Sequence, residues 1–232
     1  RSTETGNYSS KGAAEGISGG EEVYFDLSSA ELTEGYYTLG TTDPNTSPVE
    51  GKEGRTWYSL VSGEWGDWET WTLDPSGALP NNPDKEIPGT NDNVVILSGR
   101  TVDVNNDALE SRELLVEGRL DLQNTQNHQF TEIRGGGRIL LQGDQFPQGD
   151  ASHFVTSGEG EGTVVFYGNG LTLEQNARTF YDVEVNLNSS SDLMTLVNDY
   201  TLNGDLLVKR GNLQINDGSN TTPLRLDVNG DV

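Results

Sequence analysis

Val94 to Val104 read VVILSGRTVDV, Leu114 to Leu122 read LLVEGRLDL, and Ile133 to Leu141 read IRGGGRILL. Each is a short strand, a glycine, and a second short strand, and Gly99, Gly118 and Gly137 stand 19 residues apart. Gly211 and Gly230 repeat that step, and looser copies lie between: VVFYGNGLTL at Val164 to Leu173, YDVEVNL at Tyr181 to Leu187, and YTLNGDLLV at Tyr200 to Val208. Such a repeat predicts a β-solenoid, because strands joined at glycine corners form coils that bury an apolar face only by stacking. The expected fold is all-β: a right-handed parallel β-helix with coils of about 19 residues, roughly seven of them from Val94 to Val232. Alternation sets the faces. Leu114, Val116, Leu120 and Leu122 are expected to point inward, with Leu115, Glu117, Arg119 and Asp121 outward; Tyr200, Leu202, Leu206 and Val208 form a later inward set.

Upstream the pattern changes. Residues 1–56 read as a linker and the terminal strands of a preceding β-sandwich-like domain, with strand candidates at Val23 to Leu27 and Tyr36 to Leu39. Residues 57–93 hold all four tryptophans and read as a Trp- and Pro-rich N-terminal cap. Residues 94–232 are the solenoid, expected to continue beyond the fragment. The chain begins at Arg1 without an initiator Met or an apolar leader, so the expectation is a processed protein or an excerpt of a longer one.

Composition narrows the function. With 37 Asp or Glu against 14 Lys or Arg, the 232-residue chain has a formal charge of −23, which opposes nucleic-acid and anionic-membrane binding. No run of about 18 apolar residues predicts insertion into a bilayer. The absence of Cys removes disulfide scaffolds, thiolate zinc sites and cysteine nucleophiles. His128 in NHQF and His153 in SHFV, the chain's two histidines, read as satisfied loop or core residues, and the reading is non-enzymatic.

Three groups are candidate sites. Arg100, Arg119 and Arg138 each follow a repeat glycine, so their spacing predicts a strip of guanidinium groups, one per coil, suited to the carboxylates or sulfates of an acidic polysaccharide. The alternative is a solvated corner paired with Glu117 and Asp121. Trp65, Trp68 and Trp71 in WGDWETW form either a sugar-stacking platform or an aromatic plug over the open end of the coil stack. Asp103, Asn105 and Asp107 alternate in DVNND, a spacing of oxygen ligands that can wrap calcium, although the glycine and glutamate of an EF-hand loop are missing. Calcium is the one candidate cofactor.

GYYTLGT (Gly35 to Thr41), TWYSLVSGEWGDWETWTLDPSG (Thr56 to Gly77), NDNVVILSGRTVDV (Asn91 to Val104), GTVVFYGNG (Gly162 to Gly170) and TFYDVEVNL (Thr179 to Leu187) carry a resemblance. In this order they resemble the large secreted surface proteins of the Bacteroidota, and the W…DW…W start also resembles the eight-glycine domain of some hyaluronan-related proteins. The resemblance implies a cell-surface, extracellular protein of the type IX secretion and gliding-adhesin kind. Its implied partners are other segments of the same long chain, surface glycans, and the secretion and cell-surface machinery. The expected function is a structural segment of an adhesin or filament. The alternative is a carbohydrate-binding or polysaccharide-degrading β-helix acting on acidic polysaccharides.

Overall fold

Short strands with one apolar edge cannot stay folded alone, and in the computed structural model they stack in parallel. The structure describes residues 54–158, 160–174, 177–215 and 223–232. Clustering divides the chain into two compact units, Arg1–Val49 and Glu50–Val232, and the described residues belong to the second. The expected linker and terminal strands of a preceding domain therefore lie almost wholly outside the described residues.

Among the described residues two large sheets form the walls. The first has six strands, in the order Gln148–Asp150, Gln129–Arg134, Glu110–Val116, Asn93–Ile96, Thr56–Ser59 and Trp71–Thr72. The second has seven: Leu206–Arg210, Asp182–Leu187, Thr163–Gly168, Arg138–Leu141, Arg119–Asp121, Thr101–Asp103 and Gly63–Glu64. Every pairing in both is parallel except that of Thr56–Ser59 with the edge strand Trp71–Thr72. Two three-stranded parallel sheets complete the later coils: Leu171–Leu173, Leu193–Leu196 and Asn212–Ile215 in one, Thr179–Phe180, Tyr200–Leu202 and Leu226–Val228 in the other. The result is a β-solenoid of about six turns with coils about 20 residues apart.

The inner columns explain its cohesion. Val102, Leu120, Ile139, Val164, Val183 and Leu206 occupy one register position through six successive strands, and all six are buried. Each such side chain contributes roughly 1.5–3 kcal/mol only while the coils above and below keep water away. The inward set Leu114, Val116, Leu120 and Leu122 is fully buried, as alternation requires. Val208 departs from expectation: it pairs with the buried Val185 but is 41% exposed, because it lies on the edge strand of its sheet.

One corner repeats with strict geometry. Gly118, Gly137, Gly162, Tyr181, Gly204 and Gly230 form a column: the carbonyls of Gly118, Gly137 and Gly162 accept the N–H that opens the next strand, and Gly204 and Gly230 donate to the carbonyls of Tyr181 and Gly204. A Cβ on Gly118 would stand 2.4 Å from the Leu97 carbonyl oxygen, and one on Gly137 2.4 Å from that of Gly118. Glycine is required there by close approach. Gly99 and Gly211 both stand outside the column, Gly99 at φ +76° with open space around it and Gly211 against the Leu187 side chain; the 19-residue step from Gly211 to Gly230 is a coincidence of numbering. Coil length in fact varies: the equivalent positions Leu120, Ile139, Val164, Val183 and Leu206 are 19, 25, 19 and 23 residues apart.

The solenoid also begins earlier than expected. Thr56–Ser59 pairs in parallel with Asn93–Ile96, and Gly63–Glu64 with Thr101–Asp103, so residues 56–64 are themselves a coil. The rest of the Trp-rich segment covers that coil, with Trp71–Thr72 closing the edge of the first sheet. Later, the one-turn helix Ser152–Val155 puts Phe154 into the core beside Phe146, and the coil lengthens to hold it.

Candidate functional site

The outward face of the seven-stranded sheet gathers the charged groups. One outward column runs Glu64, Asp103, Asp121, Leu140, Val165, Glu184 and Leu207, and the next runs Thr101, Arg119, Arg138, Thr163 and Asp182. Arg119 and Arg138 are thus direct neighbours on adjacent coils, as expected. Arg100 is not in the strip. The turn before Thr101 has four residues, Leu97 to Arg100, where the turn before Arg119 has two; Arg119 therefore aligns with Thr101, and Arg100 stays in the corner with its carbonyl accepting the Arg119 N–H.

Hydrogen bonds tie this face together. Tyr167 donates its hydroxyl to Asp121 Oδ1 at 2.6 Å and accepts from Gln142 Nε2 at 2.9 Å, while Arg119 Nη2 lies 3.6 Å from Asp121 Oδ2. Burial, reinforced by the bond to Asp121, pushes the Tyr167 hydroxyl up to about 12, so it serves at neutral pH as a donor. Glu184, only 5% exposed, accepts from Arg138 Nη2 and from Lys209 Nζ at 2.8 Å. Burial opposes its charge, but the hydrogen bonds from Lys209 and Arg138 outweigh it and hold the carboxyl below its usual range. Asp103 is raised, first by burial and then by the charge of Asp121.

Between these groups is a cleft of about 310 Å³. Its floor is Leu140 and Val165, each 3% exposed although outward-facing, and its rim carries Arg119, Arg138, Tyr167, Asn186, Asn188 and Arg210. Arg210 reaches the rim through an irregularity: Val208 pairs with Val185 but Arg210 with Asn186, so Lys209 is extra in its strand. A bulge of this kind turns two consecutive residues toward one side. Lys209 meets Glu184, and Arg210 lines the cleft without an acidic partner among the described residues. Tyr167, Glu184, Lys209 and Arg210 were not singled out by sequence; the signal present was Lys209-Arg210, the chain's only adjacent pair of basic residues.

The tryptophans divide. Trp65 and Trp71 are 2% and 1% exposed and meet edge to face at 5.1 Å, with the Trp71 indole donating to the Trp65 carbonyl at 2.8 Å. They form the plug, and neither offers a face for a sugar. Trp68 alone of the three is partly exposed, beside a groove of about 430 Å³ with Pro80 and Pro83, and Lys85 Nζ sits 4.9 Å from its ring.

Asp103, Asn105 and Asp107 do not converge. Asp103 belongs to the sheet face, Asn105 donates to Glu64 Oε2 at 2.9 Å, and Asp107 Oδ1 accepts the Gln126 N–H at 2.8 Å. The i, i+2, i+4 spacing here runs out of a strand into a turn, which aims the three side chains at different partners. Among the described residues no group of three or more His, Asp or Glu side chains is placed to hold a metal ion. No protein-family model, curated protein or solved structure matches the chain.

Proposed function

We propose that this chain is a structural segment of a large extracellular cell-surface protein, an adhesin or filament in which the solenoid sets distance and contacts surfaces through its side chains. The observation that carries this reading is the uninterrupted inner column from Val102 to Leu206, six successive strands paired in parallel with every side chain of the column buried. Stacked coils of this sort resist extension and unravelling cooperatively, because each coil depends on its neighbours. The charge of −23 supports the same reading, since a strongly acidic surface stays solvated and resists association with itself. Stability without any cysteine fits a molecule held by repetition.

The test is immunolabelling of intact source cells with antibodies raised against the 232-residue chain. The expected result is labelling without permeabilisation, removed by brief external protease. Labelling that requires permeabilised cells would overturn the surface assignment.

A further inference from the structure

We infer that the cleft over Leu140 and Val165 binds an acidic polysaccharide laid across the strands, its carboxylates held by Arg119, Arg138 and Arg210. In a chain of charge −23, three of the ten arginines line this one cleft. Arg119 stands beside Asp121, and Arg138 and Lys209 stand beside Glu184. One Glu184 carboxylate is shared by Arg138 and Lys209, Arg119 is only loosely matched at 3.6 Å, and Arg210 faces the cleft unmatched. Asp182, Asp103 and Glu64 share this face, but none of them lines the cleft.

The spacing favours a chain molecule. Arg119 and Arg138 are on adjacent strands, and the Arg210 strand is three places beyond that of Arg138, so at about 4.8 Å per strand the cationic groups span roughly 20 Å. A single small anion cannot touch both ends, whereas an oligomer with one carboxylate per sugar can. The groups that line the cleft are side chains, the backbone of its inner strands being occupied by the ladder. A uronate chain presents hydroxyls to Asn186, Asn188 and Tyr167, an apolar ring face to Leu140 and Val165, and carboxylates to the arginines. The inference goes beyond the proposed surface role and is read on purified protein, so either can fail without the other.

The experiment is calorimetric titration of the whole chain at low ionic strength with tetragalacturonate, alongside maltotetraose, a tetraglutamate peptide and a four-nucleotide thymidine oligomer. Tetragalacturonate is expected to bind, with maltotetraose silent and affinity falling as salt is added. Arg210→Ala is expected to weaken binding about tenfold and leave the melting temperature unchanged, since no acid is left unpaired; Arg119→Lys should also weaken it by removing the planar fork. Arg100→Ala should leave binding unchanged. No binding, equal binding of maltotetraose, an Arg210→Ala protein that binds as well as the parent, or tighter binding of the peptide or the nucleotide would overturn the inference.

Discussion

Asp205 donates its backbone N–H to Oδ1 of Asp182 at 2.7 Å, and the next coil repeats the contact, with the Asp231 N–H on Asp205 Oδ1 at 2.8 Å. Each carboxylate thus holds the backbone of the coil stacked on it. The arrangement also puts like charges one coil apart in a chain already at −23, so screening should help. Raising sodium chloride from 20 to 500 mM is expected to raise the melting temperature by several degrees, with the gain smaller in Asp205→Asn, which keeps the acceptor oxygen and loses the charge. A melting temperature that falls with salt would contradict this account.

Asp92 holds the start of the solenoid by three N–H groups: Arg55 N at 2.8 Å, Gly89 N at 2.8 Å, and the Trp57 indole at 3.0 Å. It is 8% exposed, and Trp57 is fully buried. Asp92→Ala would leave a buried indole N–H without an acceptor, at a cost of about 3 kcal/mol. Urea titration followed by tryptophan fluorescence should show an early midpoint; an unchanged midpoint would mean that the first coil is held by packing alone.

Gly137 and Gly99 look equivalent in sequence and are not. Gly137→Ala drives a Cβ into the Gly118 and Val116 carbonyls at 2.4 and 2.7 Å, and is expected to cost upward of about 2 kcal/mol because two coils must separate. Gly99→Ala meets nothing within 4 Å and bears only the strain of φ +76°, about 1 kcal/mol. Denaturation midpoints of the two variants should rank in that order.

That contrast marks how far the sequence was legible. Gly118 and Gly137 revealed the repeat because at these two positions a Cβ would strike a neighbouring carbonyl, although Tyr181 holds the same corner in a later coil. The alternation through Leu114 to Leu122 was readable for the same local reason. Turn length was not readable: two extra residues before Thr101 moved Arg100 out of the strip, and no strand periodicity records the length of a turn. Nor could spacing show that Trp65 and Trp71 are buried while Trp68 is partly exposed, since the chain bends at the short turn capped by Asp67. The cleft depended on a bulge at Lys209 that brings Arg210 to a face shared with Arg119, a residue four strands away. Contacts of that range are set by stacking and leave no local mark.

His128 gives the pH dependence its sign. It is 2% exposed; Nδ1 accepts the Leu109 N–H at 3.2 Å, so the remaining proton sits on Nε2, 2.9 Å from Thr125 Oγ1, and that hydroxyl donates to the Leu122 carbonyl. The ring is held neutral, and burial lowers its pKa from the ordinary 6.5. The unfolded chain therefore takes up a proton before the folded one. Stability from this group is full above about pH 6.5 and declines as pH falls, by up to about 1.4 kcal/mol per unit. Glu184, lowered, loses its contribution only in the acid range where carboxylates titrate; Asp103, raised, acts there in the opposite sense. Of these three groups, His128 is the one that acts between pH 7 and 5.5. Urea midpoints should drop across it in the parent chain and stay nearly level in His128→Gln, although that variant should begin lower at pH 7 for want of a fitted acceptor. Equal slopes in the two proteins would assign the acid sensitivity to another group.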